Sequence, residues 1–162
     1  MAILEGLGPS GKLFEDLPPG DYLFEISEPG DKGWLMEFKD ADDELATTSN
    51  ISWNLRVVRP EPFENRRFSM LTMYDASPQK IAKAKRPYDP SGFFWQFLTS
   101  IGVAMKDGNR TILLDEYTTD GDPDLDKMIG VRFNGSLKEE QYKDKKTNEI
   151  KTVVRLTKSW PE

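Results

Sequence analysis

Residues 128–160 read MIGVRFNGSLKEEQYKDKKTNEIKTVVRLTKSW, and their pattern predicts a long β-hairpin. Apolar and polar residues alternate from Ile129 to Leu137, which places apolar side chains on one face of a strand. Residues 150–156 alternate in the same way and would form the return strand. Between them, residues 138–149 are mostly charged and form either a binding loop or a solvated turn. The expected core face of the hairpin consists of Ile129, Val131, Phe133 and Leu137.

The composition describes one globular domain. The chain has 162 residues, of which 37% are hydrophobic, 31% charged and 11% aromatic. It contains no cysteine and no histidine, which excludes disulfides, thiolate metal sites and Ser-His or Cys-His nucleophiles. No apolar run approaches the roughly 20 residues that span a bilayer. We therefore predict a cytoplasmic protein that makes no membrane contact, is not an enzyme and uses no cofactor.

Charge is unevenly distributed along the chain, whose net charge is −6. Residues 1–50 carry 12 acidic and three basic side chains, whereas residues 51–106 carry four and nine. Residues 107–126 carry seven acidic and one basic, and residues 127–162 carry five and nine. A polyanion requires a local basic surface rather than a basic average, so the acidic total leaves a basic groove open.

The rest of the chain predicts a mainly β domain over residues 18–160, preceded by an N-terminal arm over residues 1–17. Strands are expected at residues 21–27, 34–39, 51–59, 66–74 and 111–114, with the second pairing with the first. Polar or acidic loops are expected at residues 41–50 and 115–126.

Two helices are predicted. Ser77-Pro78 is typical of a helix start, with a hydroxyl cap and proline at the first helical position. The main helix is expected over residues 91–103, since its apolar residues share one face and Gly102 can end it. That face consists of Phe94, Phe97, Leu98 and Ile101.

Three meandering strands, a helix and a closing hairpin form the chain order of the OB-fold, a small barrel that binds oligonucleotides. We therefore predict a single-domain, OB-fold-like Greek-key β-barrel with one main α-helix between strands 3 and 4. In this count residues 34–39 extend the first hairpin. Another all-β sandwich could contain the same elements.

Several segments resemble small phage-encoded single-stranded DNA-binding proteins of the OB-fold type. They are PPGDYLFEI (18–26), SMLTMY (69–74), FFWQFLTSIG (93–102), MIGVRFNGSLKEEQY (128–142) and KTVVRL (151–156). The resemblance covers the order of elements over residues 17–158. It implies binding of single-stranded DNA with little sequence preference, in phage or mobile-element DNA replication or recombination in a bacterial host cell.

The same resemblance names replication or recombination proteins as further candidate partners and does not define the oligomeric state. Many proteins of this kind end in an acidic run that recruits partners. This chain ends in Trp160-Pro161-Glu162, so the resemblance does not extend to such a tail.

Binding of single strands requires positive charge along the phosphates and exposed aromatic rings for the bases. The predicted nucleic-acid-binding residues are Trp34, Arg56, Arg59, Arg66, Arg67, Phe68, Tyr74, Lys83, Lys85, Arg86, Tyr142, Lys143, Lys145 and Lys146. An OB-fold would bring their elements to one side. Alternatively, Trp34 and Tyr74 plug the barrel ends and each lysine cluster is a solvated loop.

The main alternative is an acidic β-protein that binds another protein, as an inhibitor or DNA mimic does. It is motivated by the acidic residues 1–50 and requires a broad acidic face, whereas DNA binding requires the basic clusters to converge. A metal-dependent nuclease is a distant third alternative. It is suggested by Glu37-Phe38-Lys39 with Asp21 upstream, since such carboxylates can hold Mg²⁺.

The acidic segment 120–126 does not satisfy a calcium motif. Its aspartates alternate, but Leu125 and Val131 occupy the positions at which an EF-hand loop needs Gly and Glu. No metal site is therefore predicted.

Overall fold

The computed structural model describes residues 17–162, which form a mainly β fold built from antiparallel sheets. The first four strands are β1 (Gly20–Ile26), β2 (Leu35–Asp40), β3 (Asp43–Arg59) and β4 (Arg67–Ala76). Two helices follow, α1 (Pro78–Ala82) and α2 (Gly92–Ser100). The remaining strands are β5 (Ala104–Asp107), β6 (Arg110–Leu113), β7 (Thr118–Thr119), β8 (Asp122–Pro123), β9 (Arg132–Lys143) and β10 (Ile150–Pro161).

The main sheet has six strands in the order β10-β9-β1-β3-β2, and β4 pairs with the opposite edge of β3. Residues 55–59 of β3 pair with β1, and residues 43–51 pair with β2. The predicted strand over residues 34–39 is therefore present, but its partner is β3 rather than the first strand. The remaining strands form two small two-stranded sheets, β5–β6 and β7–β8.

The prediction of a polar loop over residues 41–50 is wrong, because most of this segment is the first part of β3. Its inward side chains are Ala46, Thr48 and Asn50, which give no hydrophobic alternation. Inward positions change from even to odd numbers at Ile51, next to a register shift in the β3–β4 ladder. The extra residue of that shift is Tyr74 of β4, which is 40% exposed.

The closing hairpin is confirmed as β9 and β10, which pair along most of their length. Strand pairing continues to Lys143 opposite Ile150, so the turn covers residues 144–149 rather than 138–149. Phe133 and Leu137 belong to the core as predicted, and Val131 packs partly against it. Ile129 precedes the strand and is 37% exposed, so its assignment to the core face is corrected.

Both helices occur where the sequence predicts them. The Ser77 hydroxyl accepts a hydrogen bond from the backbone N–H of Lys80 and caps α1. Helix α2 buries the predicted apolar face, and Gly102 follows it with a φ of 87°, a conformation that glycine adopts readily. Its C-terminal end meets β10, where the hydroxyls of Ser100 and Ser159 are hydrogen-bonded.

The core lies between the inward face of the main sheet and α2. Trp53 is fully buried at its centre, and its indole N–H donates to the Thr72 hydroxyl at 2.9 Å. Leu17 is also fully buried, which corrects its assignment to the arm. The remainder of the predicted arm, residues 1–16, lies outside the described residues.

Of the predicted OB-fold-like, partly open β-barrel, residues 17–162 show the mainly β, antiparallel architecture, and their sheets do not close into a barrel. Among the described residues, no ladder of the main sheet joins β4 to β10. Each of these two strands therefore has one edge without a strand partner in this sheet. Helix α2 contacts both β4 and β10. Within the same residues, none of the helices has the length and apolarity required to cross a membrane.

Gly135 should be required for packing between β9 and its neighbours. A Cβ at this inward position would lie 2.6 Å from Leu156 Cδ1 and 2.9 Å from Phe24 Cε2. We expect Gly135→Ala to lower the free energy of unfolding by about 1–3 kcal/mol through overpacking, measured by urea denaturation.

Gly92→Ala is the matched control, because an added Cβ at the start of α2 would meet no atom within 4 Å. It should leave stability unchanged or raise it slightly, since alanine favours helix. Equal losses in the two variants would contradict the packing argument.

Candidate functional site

Three arginines and one glutamate form a row across four neighbouring strands. In the ladder register, Glu25 of β1 lies opposite Arg132 of β9 on one side and Arg56 of β3 on the other. Arg56 in turn lies opposite Arg67 of β4. All four side chains are partly or fully exposed, so this arginine row lies on the outer face of the sheet. Neighbouring strands are about 4.8 Å apart, which gives the row a length of roughly 14 Å.

Glu25 holds two of these arginines. Its carboxylate accepts hydrogen bonds from Arg56 Nε at 3.1 Å and Nη2 at 2.5 Å, and from Arg132 Nε at 3.4 Å. Hydrogen bonding from Arg56 is the main cause that lowers the pKa of Glu25, against the opposing effect of burial. Arg56 also donates to Asn65 Oδ1 at 2.9 Å, so three contacts fix its guanidinium.

A β-bulge in β3 adds Arg59 to the outer face. Phe24 of β1 lies opposite Val57, and the next pair is Leu23 with Arg59, so Val58 is an extra residue. Without this extra residue, Arg59 would share the inward face of Val57. Its side chain is instead 71% exposed.

A second bulge, in β10, adds a cation and an aromatic ring to the same face. The register with β9 shifts between Leu156 and Lys158, so Thr157 is the extra residue. Trp160 consequently lies opposite Asn134, whose side chain is on the outer face of β9. Lys158 Nζ is 5.8 Å from the centroid of the Trp160 ring. The basic face, as we define it, consists of Arg56, Arg59, Arg67, Arg132, Lys158 and Trp160.

Three of the predicted binding residues, Arg56, Arg59 and Arg67, are thus brought together. Arg66 is half-buried, and its guanidinium carbon lies 5.5 Å from the Phe63 ring centroid. Phe68 is a correction, because its side chain is 9% exposed and lies in the core cluster. An inward ring cannot stack on a base.

Trp34 and Tyr74 lie together, but away from the arginine row. They line a cleft of about 430 Å³ with Asp122, Asp124 and Asp126. The Trp34 indole N–H donates to Asp126 Oδ1 at 2.9 Å. Carboxylates repel phosphate, so this cleft does not provide the predicted combination of aromatic rings and cations.

The basic segment near α1 is tied to the β2–β3 hairpin. Lys83 Nζ lies 3.2 Å from Asp40, 3.3 Å from Asp42 and 3.6 Å from Asp43. Lys85 and Arg86 follow α1 and are exposed. This group lies near the start of β3, whereas Arg56 lies near its end, so the structure does not bring it to the arginine row.

The tip of the β9–β10 hairpin forms another separate basic group. Pairing of β9 with β1 ends at Leu137, so the outer part of the hairpin pairs only with itself. Tyr142 is 45% exposed there, and Lys143, Lys145 and Lys146 are exposed beside it. At about 3.3 Å per residue, Lys143 lies roughly 36 Å along β9 from Arg132.

The sequence analysis missed Arg132, Lys158, Trp160 and the role of Glu25. Arg132 occupies a polar position in the alternating pattern of β9, a signal that could have identified it. Lys158 and Trp160 face outward because of the bulge at Thr157, and the pattern of residues in this segment does not predict a bulge. The role of Glu25 could be predicted only by knowing which strands pair with β1.

The carboxylates do not form the nuclease arrangement. Glu37 lies opposite Ser49 in the β2–β3 ladder, whereas Asp21 lies opposite Ser136 in the β1–β9 ladder. Across residues 17–162, no group of three or more carboxylate, thiol or imidazole side chains is arranged to hold a metal ion.

Comparisons with known proteins add no assignment. No protein-family model, curated protein or solved structure matches this chain. The functional interpretation therefore depends on the geometry of the basic face.

Glu25 should make stability depend on pH. Its lowered folded-state pKa means that the unfolded chain is protonated first as pH falls. The stabilisation is present above the unfolded value of about 4.3 and is lost as pH falls through the folded value. The difference in unfolding free energy between the native chain and Glu25→Gln should therefore shrink between about pH 7 and about pH 3, measured by urea denaturation.

Glu37→Gln is the control for loss of a carboxylate, because the ion pairs found in residues 17–162 do not include Glu37. A Glu25→Gln difference that stays constant across the pH range would contradict the assigned role of Glu25.

Proposed function

We propose that this chain binds single-stranded DNA mainly through its phosphates and acts in phage or mobile-element replication or recombination, in the cytoplasm of a bacterial host. The observation that carries this proposal is the convergence of Arg56, Arg67 and Arg132 in one row, with Arg59 and Lys158 on the same face. Guanidinium groups bind phosphate oxygens through paired hydrogen bonds, and such contacts do not read sequence.

The strand order supports an OB-fold as part of this proposal. Strands β1, β3, β4, β9 and β10 would be its five strands, and β2 would be an addition to the second. In that assignment β3 and β4 are strands 2 and 3, whose outer face binds oligonucleotides in OB-folds. Arg56 and Arg67 lie opposite one another on this pair of strands.

Trp160 supplies an aromatic ring beside the cations. It is partly exposed, and Lys158 lies over its ring. Stacking of a base on an aromatic side chain contributes about 1–3 kcal/mol and tolerates any base. The combination of phosphate contacts and one stacking ring fits binding with little sequence preference.

The alternative of an acidic protein-binding module receives less support. The acidic group at the β2–β3 hairpin tip is partly compensated, since Lys80 and Lys83 form ion pairs with Asp40, and Lys83 also with Asp42 and Asp43. A DNA mimic requires carboxylates that remain available to a partner. Replication or recombination proteins remain candidate partners of the bound complex.

Removal of three cations from the basic face should weaken binding and reduce its dependence on salt. For single strands, the logarithm of the binding constant falls with the logarithm of salt concentration by about 0.7 per neutralised phosphate. The combined variant Arg59→Ala/Arg67→Ala/Arg132→Ala should therefore have a slope shallower by about 2, measured by fluorescence anisotropy with oligo(dT).

The matched control is Lys32→Ala/Lys106→Ala/Arg110→Ala, which removes the same charge from exposed positions outside the basic face. Its slope should stay close to that of the native chain. Equal slopes for the two triple variants would contradict the assigned interface, and absence of oligo(dT) binding by the native chain at low salt would sink the proposal.

The hairpin tip should matter only for longer strands. With bases stacked at about 3.4 Å per nucleotide, a strand of about six nucleotides held at the row spans about 20 Å, less than the roughly 36 Å along β9 from Arg132 to Lys143. The variant Lys143→Ala/Lys145→Ala/Lys146→Ala should weaken binding of oligo(dT) of about 30 nucleotides and leave a hexamer unaffected, as measured by anisotropy. Unchanged affinity for the long oligomer would mean that the tip is a solvated turn.

A further inference from the structure

A groove of about 480 Å³ opens beside the arginine row. Arg56 and Arg67 line it on the side of the row. Glu28 and Pro29, from the turn after β1, form a second wall. Ile129, from the segment before β9, is 37% exposed and forms an apolar part of the lining. With Glu25 also in the lining, the groove combines cations, two carboxylates and apolar surface within the size range of small-molecule pockets.

Backbone hydrogen bonds fix the segment that carries Ile129. The N–H of Gly130 donates to the carbonyl of Ile26 at 2.8 Å, and the N–H of Ile26 donates to the carbonyl of Val131 at 2.9 Å. Gly130 has a φ of 93°, a conformation that residues with a Cβ rarely adopt. The apolar side of the groove is thus held in place against the end of β1.

The opposite side offers hydrogen-bond acceptors. One side-chain N–H of Asn54 donates to the backbone carbonyl of Glu28 at 3.2 Å, which leaves the amide oxygen as an acceptor and the second N–H as a donor. The ion pairs found in residues 17–162 do not include the Glu28 carboxylate. An ionised carboxylate only accepts hydrogen bonds, so it suits a ligand that presents N–H groups.

We propose that this groove holds one base of the bound strand and favours cytosine over thymine. Cytosine presents a donating N4 amine where thymine presents an accepting O4 oxygen, and carboxylates pair with the cytosine amine. Glu28 would accept from that amine, Ile129 would contact the face of the base, and Arg67 would contact the adjoining phosphate. This inference rests on the proposed function and adds a modest base preference to it.

The test compares oligo(dC) with oligo(dT) of about 12 nucleotides, a length within the usual site sizes of OB-folds, by anisotropy at low salt and pH about 8. We expect the native chain to bind oligo(dC) about 3–10-fold more tightly, as one favourable contact replaces one repulsive contact. Glu28→Gln should bring the ratio close to one, because an amide can donate to thymine O4 as well as accept.

Glu116→Gln is the matched control, since it removes an exposed carboxylate outside the groove and should keep the preference. Ile129→Ala should weaken both oligomers by a similar factor, because it removes apolar contact and no hydrogen bond. It thus separates occupancy of the groove from base selection.

The outcomes distinguish the two proposals. If neither oligomer binds, the proposed function is wrong. If both bind with equal affinity, or thymine is preferred, only the base groove is overturned. A cytosine preference that survives in Glu28→Gln would also overturn it, because the selection would then arise elsewhere.

Discussion

The main sheet depends on the backbone pairing of β3, a strand of 17 residues. One of its edges pairs with β1 and β2, and the other pairs with β4. This double pairing sets which residues of neighbouring strands lie side by side. Since side chains on one face of a sheet follow the register of the strands, Arg56 meets Glu25 and Arg67 for the same reason that Leu55 meets Ile26 and Phe68 beneath them.

The two bulges resolve a conflict between strand alternation and charge. In β3, strict alternation would direct Arg59 inward after Val57, where an unpaired guanidinium would carry a large desolvation penalty. One extra residue, Val58, returns the cation to solvent while Val57 stays buried. Thr157 has the same effect on Lys158 in β10. Both bulges direct a cation to the same outer face of the sheet. The bulges that keep these charges out of the core therefore also extend the basic face.

Local patterns predicted much of this fold. Alternation identified most of β1, β4 and β9, and the apolar spacing of residues 94–101 identified α2, because each pattern reflects burial of one face. The first part of β3 could not be recognised, since its buried Ala46, Thr48 and Asn50 do not differ from loop residues. Its pairing with β2 is a tertiary contact, and no local signal distinguishes it from the expected pairing with β1.

The candidate site was predictable only in part for the same reason. Charge clusters along the chain indicated Arg56, Arg59 and Arg67, but sequence proximity also suggested Lys83, whose charge is balanced by aspartates of the β2–β3 hairpin. Phe68 follows Arg67 directly and therefore faces inward, since neighbouring residues of a strand point to opposite faces. Arg132 is 76 residues from Arg56 in the chain, and only β1 between their strands brings them to one carboxylate.

Glu25 gives the arginine row a property that a simple cluster of cations lacks. Three guanidiniums within roughly 14 Å would repel one another and sample many orientations. The carboxylate offsets part of that repulsion and holds Arg56 through Oε2 and Arg132 through Oε1. A phosphate approaching the row meets guanidiniums that are already oriented, so less side-chain entropy is lost on binding. The same carboxylate would repel a phosphate, and this repulsion would limit the affinity of the proposed binding. The opposing effects of orientation and repulsion would make the binding that we propose reversible.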